Sequence, residues 1–326
     1  HRGDLLYLKA CPLCGTSKLE IIAEVYLDKK LNFLTTAICT NCLFIFRSVA
    51  PRFSWFKKCW AIIRSEKIEV FNPKAERYKK KRYELYRKLI SPYASNGKLL
   101  DIGASYGTGS NIFKKAGFKV NAIEAEKNKI NYLIRQLKIP VVATSIEQSF
   151  KQIKQEYDIA IFSNCLEHLD LPVQVISKMG NLLKPSGVMM LAVPNIWDSI
   201  NWSDALYLTH KSNFTVENLF ELLMNSGFEI LELIHIPYFQ ENEFIIRKRP
   251  NNISVVLNYK DQKLIIKKVK ELYRKDLPVK IPPSINGTIK YSVPHIDQFF
   301  QTINLDNNSI KWKGGYIIFA PNNNIK

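Results

Sequence analysis

Apolar residues along this chain fall in short runs separated by amphipathic segments, the pattern of strands buried on both faces and linked by helices. Lys98–Leu100 runs into Asp101, Lys119–Ile123 ends at Glu124, Tyr157–Phe162 follows, and Val188–Val193 is the longest uninterrupted apolar run, at six residues. Between the first two, Ser110–Ala116 predicts a helix closed by Gly117. Strand, helix, strand and a terminal acid thus lie within 27 residues, one right-handed βαβ unit. The ligand of such a sheet lies beyond the carboxyl ends of its strands.

The same pattern extends in both directions. Lys74–Ile90 predicts a helix with Tyr78, Leu85, Tyr86 and Leu89 on one side, ended by Ser91-Pro92. Ile139–Ser145 predicts a third strand, and Thr215 caps a helix over Val216–Asn225 that Gly227 ends before a sixth strand, Phe228–Ile236. Glu243–Lys248 predicts a seventh, antiparallel strand hairpinned across Tyr238–Asn242. Gly315–Ala320 competes for that place, and the shorter loop favours the first. Leu264–Tyr273 reads as a basic amphipathic helix, Pro278–Gly287 as a loop and Tyr316–Phe319 as a late strand; this tail either lids a pocket or makes an oligomer contact.

The 326 residues, 46% hydrophobic and 23% charged, exclude disorder as a whole. No apolar run approaches the roughly 20 residues that span a bilayer, and no basic-then-apolar segment opens the chain, so the expectation is a soluble cytoplasmic protein without a membrane span. Lys plus Arg exceed Asp plus Glu by 47 to 29, and the resulting +18 favours an anionic small-molecule or glycan acceptor, with nucleic acid as the second partner class.

Four of the six cysteines form two pairs, Cys11/Cys14 and Cys39/Cys42, separated by 24 residues. Each Cys-x-x-Cys turn aims two thiolates at one point, and four thiolates at about 2.3 Å complete a structural tetrahedral zinc site with no open position. Gly15 relieves the first turn, and the apolar Leu19–Phe33 stretch supplies strands of a small ribbon that gains stability from the metal. Disulfides are the competing reading, disfavoured by the knuckle spacing. Cys59 reads as a small packed hydrophobe. Pro51–Asn72, aromatic and basic, reads as a packed interdomain linker rather than a stacking surface.

After the first strand, Asp101-Ile-Gly103-Ala-Ser105-Tyr-Gly107-Thr-Gly109 does not fit the Gly-x-Gly-x-x-Gly of dinucleotide sites, and Asp101 adds negative charge where a phosphate would sit. A cationic or phosphate-free nucleoside suits it better. Here the chain resembles the class I S-adenosylmethionine-dependent methyltransferases, whose first motif is Asp-x-Gly-x-Gly-x-Gly. Asp101, Gly103 and Gly107 match it, Ser105 replaces the middle glycine, and Glu124 matches the acid that accepts both ribose hydroxyls. Ser163-Asn164-Cys165-Leu166-Glu167-His168-Leu169 resembles the family's Leu-Glu-His segment along the cofactor, and Thr209–Thr215 resembles the loop that caps the acceptor pocket.

The resemblance implies an α/β fold with a Rossmann-like seven-stranded sheet, S-adenosyl-L-methionine as cofactor, and a division into ribbon (1–50), linker (51–73), methyltransferase domain (74–248) and carboxyl-terminal extension (249–326). The cofactor residues it implies are Asp101, Gly103, Ser105, Gly107, Glu124 and Asn164, with Ser145 or Glu147 in place of the usual adenine-binding Asp. A hydroxyl acceptor must lose its proton, and His168 and His210 are the candidate bases; Cys165 is a lesser nucleophile candidate. Ribbons ahead of this domain resemble those of bacterial deoxysugar methyltransferases, which implies a sugar hydroxyl on a nucleotide sugar or surface polysaccharide. RNA base methylation and a noncatalytic zinc scaffold are the alternatives.

Overall fold

The computed structural model describes residues 2–27, 31–55, 73–154, 156–194, 209–236 and 241–248, positions 263, 266 and 267, and 289–292, 310–313 and 316–319. In chain order the first elements are β1 (Leu5–Tyr7), β2 (Leu19–Leu27), β3 (Leu31–Cys39), β4 (Ile45–Pro51), α1 (Pro73–Ile90), β5 (Lys98–Ile102) and α2 (Thr108–Lys115). There follow β6 (Lys119–Ile123), α3 (Lys127–Arg135), β7 (Val141–Ala143), α4 (Ile146–Ser149), β8 (Tyr157–Ser163), α5 (Pro172–Met179) and β9 (Leu183–Pro194). The chain continues through β10 (Ser212–Asn213), α6 (Val216–Asn225), β11 (Phe228–Ile236) and β12 (Glu241–Lys248). The strands β13 (Ile289–Ser292), β14 (Ile310–Lys313) and β15 (Tyr316–Phe319) form a separate sheet of order β13-β15-β14. Two compact units result: His1–Ile68 with Asn195–Asn218 and Leu257–Lys326, and Glu69–Pro194 with Leu219–Val256.

The second unit is built on a seven-stranded sheet of order β7-β6-β5-β8-β9-β12-β11, in which β12 runs antiparallel to both neighbours and the remaining pairings are parallel. Its central strands are apolar at successive positions because both faces are covered. Leu99, Ile159, Ile161, Met190 and Ile245 share one core with Tyr83, Tyr86 and Phe113, while Leu100, Ala160, Phe162, Met189 and Phe244 are also buried. β12 takes the seventh-strand place beside β9, so the tail strand β15 does not enter this sheet. Of the 264–273 helix only Ile266 and Lys267 are described, both helical; the loop 278–287 and residues 56–72 of the linker, with Cys59, lie outside the described residues.

Several boundaries differ from the sequence pattern for identifiable reasons. The third strand is only Val141–Ala143, and Ser145 stands off it at the start of α4. β9 begins at Leu183, five residues earlier than the apolar run: Tyr157 faces Leu183 and Ile159 faces Val188, so the Lys184–Gly187 turn bulges out of a continuing strand. α1 buries Glu76, Arg82, Tyr83, Tyr86 and Ile90, whereas Tyr78, Leu85 and Leu89 are only half-buried. The face that packs is therefore rotated from the one that apolar residues alone suggest, because Glu76, Arg82 and Tyr83 turn inward with Tyr86 and Ile90.

The first unit holds a five-stranded sheet of order β1-β4-β3-β2 in which β10 also pairs with β4. β1 takes Val49–Pro51 and β10 takes Ile45 and Phe46. Two segments far apart in sequence thus share one edge of β4 end to end.

Gly109 in α2 has its α-carbon against the Tyr83 ring, where a Cβ would stand 2.0 Å from the nearest ring carbon. Gly109→Ala is expected to lower unfolding free energy by about 1–3 kcal/mol through overpacking, measured by urea denaturation; an unchanged midpoint would refute this packing of α1 on α2.

Candidate functional site

β5 lies between β6 and β8, at the switch point of the strand order, and the ligand site of such a sheet lies beyond the carboxyl ends of these strands. The turn after β5 lines it. Gly103, Ser105 and Gly107 all have left-handed backbone, at φ 78°, 54° and 71°. A Cβ at Gly107 would meet Leu133 at 2.5 Å, and one at Gly103 would meet Cys165 Sγ at 3.1 Å. Left-handed geometry at a non-glycine residue costs roughly 1–2 kcal/mol, and Ser105 is held there from two sides. Its N–H donates to Glu124 Oε2 at 2.7 Å, and its hydroxyl accepts from Lys79 Nζ at 3.0 Å. Lys79 also pairs with Glu76, whose other oxygen accepts from the Thr108 hydroxyl.

The two acids of the motif have different surroundings. Asp101 is fully buried beneath the turn, where it accepts from Tyr83 Oη at 3.2 Å and Ser110 Oγ at 2.5 Å. Burial pushes its carboxyl up to about 6, against the opposing pull of those two hydroxyls. Glu124 is oriented by backbone: besides Ser105, the N–H groups of Ala125 and Glu126 donate to its Oε1 at 2.8 and 2.9 Å. An ionised carboxylate is an acceptor only, so this group is chemically suited to hydroxyl donors.

Farther along the same edge, Asn164 follows β8 with φ 48° and donates its N–H to the Ala192 carbonyl at 2.9 Å. Burial, with the negative charges of Glu167, Glu124, Glu147 and Asp101 added, pushes the Cys165 thiol well up, which favours its protonated form. Ser145 is half-buried, and Glu147 accepts the Leu171 N–H at 2.8 Å, tying α4 to the start of α5. His168 ends a short 3₁₀ turn with Nε2 3.7 Å from Oε1 of buried Glu167. His210 belongs to the other unit, half-buried just ahead of β10.

Three residues of α1 that brace this turn were not singled out by motif: Glu76, Lys79 and Tyr83. Their signal was the spacing Glu76, Lys79, Tyr83, Tyr86, one face of a helix at intervals of three and four residues.

In the ribbon unit the four cysteine sulfurs all lie within 4.8 Å of one another. Cys11 and Cys42 are 3.6 Å apart and Cys14 and Cys39 3.5 Å, close to the edge of about 3.8 Å expected for a tetrahedron of zinc–sulfur bonds of about 2.3 Å, and far from a disulfide. Asn41 and Cys42 N–H groups point at Cys39 Sγ at 3.4 and 3.5 Å, and Gly15 supplies the left-handed residue of the first turn at φ 77°. Hydrogen bonds from Cys11 and Cys42 hold the Cys39 thiol down to about 2, while the same contacts push Cys11 and Cys42 up. The donor set fits a closed, structural divalent site.

Residues 77–233 match the family described as Methyltransferase domain. The ubiquinone biosynthesis O-methyltransferase of Rickettsia canadensis is 25% identical over 189 residues, covering 52% of this chain and 79% of that protein. A solved protein of Pyrococcus horikoshii superposes with TM-score 0.45 at 16% identity, over 53% of this chain and 91% of its own. An S-adenosylmethionine-dependent methyltransferase of Mesorhizobium loti gives 0.43 at 12% identity, over 50% and 96%. The family match spans just under half of the chain and lies over the seven-stranded sheet. The chain is a methyltransferase, and its cofactor is S-adenosylmethionine. Among the described residues no helix is long and apolar enough to cross a membrane.

The raised Asp101 carboxyl has a stability consequence. The folded state holds this proton more tightly than the unfolded chain, so the contribution is fully present below about pH 4 and is lost as pH rises through about 6. Wild type should therefore lose stability relative to Asp101→Asn across that window and run parallel to it above; urea unfolding at intervals from pH 4 to 8 measures it, and parallel curves throughout would contradict the buried placement.

Proposed function

We propose that this methyltransferase acts on an oxygen atom of a small or medium anionic acceptor, with a sugar hydroxyl on a nucleotide sugar or surface glycan as the preferred class, and that zinc on Cys11, Cys14, Cys39 and Cys42 is structural. The observation that carries the reading is the conjunction of a backbone-held acid, Glu124, with a phosphate-disfavouring turn and a four-thiol cluster ahead of it. S-adenosylmethionine, when bound, supplies a methyl group already activated on a sulfonium. The protein's work is then orientation and proton removal.

In this reading Gly103, Ser105 and Gly107 offer close-packed backbone to the cofactor, Glu124 takes its ribose hydroxyls, and Asn164 and Ser145 line its path. Asp101 acts from beneath, fixing the turn through Tyr83 and Ser110. His168 or His210 accepts the proton of the acceptor hydroxyl. For His168, Glu167 at 3.7 Å supports the protonated ring that results. Oxygen as the methylated atom is supported by the O-methyltransferase of Rickettsia canadensis, and an anionic acceptor by the net charge of +18. The cytoplasm is the proposed compartment.

Radiolabelled methyl transfer into fractionated extract, separating nucleotide sugars, glycans and RNA, tests the acceptor class; label confined to RNA would replace this reading with base methylation. Glu124→Ala should weaken S-adenosylhomocysteine binding by about tenfold or more, as loss of a charged hydrogen-bond acceptor implies, while one zinc per chain remains by elemental analysis. Unchanged affinity removes the ribose role. His168→Ala and His210→Ala should lower turnover more than cofactor affinity, and full activity in both removes the base assignment.

A further inference from the structure

The segment that follows β9 returns to the ribbon, and it does so at the second cysteine turn. Residues 209–218 cluster with the ribbon rather than with the seven-stranded sheet. Ser212 and Asn213 pair with Phe46 and Ile45, and the Arg47 N–H donates to the Lys211 carbonyl at 2.8 Å. Just outside that ladder the Phe214 ring packs on Phe44 at 5.1 Å between centroids, and Asn218 Nδ2 donates to the carbonyl of Cys42 itself at 2.9 Å. Phe214 and Asn218 are fully buried, and Lys211, Ser212, Asn213 and Thr215 nearly so.

Phe44 and Cys42 are in turn placed by the knuckle. The Cys39 N–H donates to the Phe44 carbonyl at 2.9 Å, the Leu43 N–H to the Cys39 carbonyl at 3.0 Å, and Leu43 is left-handed at φ 58°. The partners of the 211–218 segment are therefore residues 42, 44, 45, 46 and 47, the turn between two metal-suited thiols and the strand leaving it. A two-residue bridge is too short to hold a segment by itself; it depends on the shape of this turn.

We propose that the Cys39–Cys42 turn is the clamp that positions residues 209–218, with Phe214 and Asn218 as positioning residues for His210. Metal occupancy then controls the acceptor side of the reaction without controlling cofactor binding. The first part stands on the contacts above; the second rests on the roles proposed for zinc and His210.

The test uses the full chain, zinc-loaded and after chelation. Hydrogen exchange over 209–218 should accelerate by about tenfold or more on zinc removal, together with that of 39–47, while S-adenosylhomocysteine affinity changes by less than about twofold. Protection retained over 209–218 while the knuckle amides open would overturn the clamp. In zinc-loaded protein, Asn218→Ala, and Phe214→Leu as a milder second variant, should keep one zinc per chain and cofactor affinity, accelerate exchange at 209–215, and reduce methyl transfer to the active extract fraction through kcat rather than the cofactor KM. Unaltered exchange in both variants also overturns it. Purified protein without metal would refute the zinc reading alone, since the two variants still test the clamp.

Discussion

A carboxylate without water organises the centre of the sheet unit. Asp101 lies one residue before the end of β5 with no exposed surface, and an acid in that position is tolerable only because hydroxyls reach it. Those hydroxyls come from the helix before the strand, Tyr83, and the helix after it, Ser110. Both helices are thereby tied to one strand end. The Tyr83 ring excludes any side chain at Gly109, and the chain between Asp101 and α2 has to turn through a narrow passage of left-handed residues. What it presents to the ligand site is backbone.

The serine in that turn is accommodated rather than merely tolerated. Glu124 holds its N–H and Lys79 its hydroxyl, so a position that favours glycine is stabilised by groups 19 residues after and 26 residues before it. The same contacts orient Glu124, the group best suited to meet hydroxyls. Tyr83 and Lys79 place α1 in the architecture of the turn as well as in the core, which explains why its inward face is polar as well as aromatic.

The ribbon unit follows a comparable logic with sulfur in place of carboxylate. Four thiols within 4.8 Å are a poor packing arrangement for neutral cysteines and a good one around a divalent ion. Around them the sheet is completed from two distant parts of the chain, β1 and β10, each covering part of the exposed edge of β4. An uncovered edge invites association with other chains; here it is closed internally.

The strands β5, β6 and β8 were legible from apolar runs, because parallel strands covered on both faces leave little choice of residue. The metal-suited cysteines and the Asp101–Gly107 turn were legible because their chemistry requires those residue types at that spacing. Shorter-range competition hid other features: Val141–Ala143 is a truncated strand because Ser145 begins a helix, and Lys184–Gly187 bulges within β9 because register with Tyr157 is already made at Leu183. Only the tertiary structure could bring Lys79 to Ser105, Tyr83 to Asp101, and Asn218 to the Cys42 carbonyl 176 residues away. Periodicity and motifs are local properties of the chain, whereas hydrogen-bond partners across such separations are set by how the elements pack.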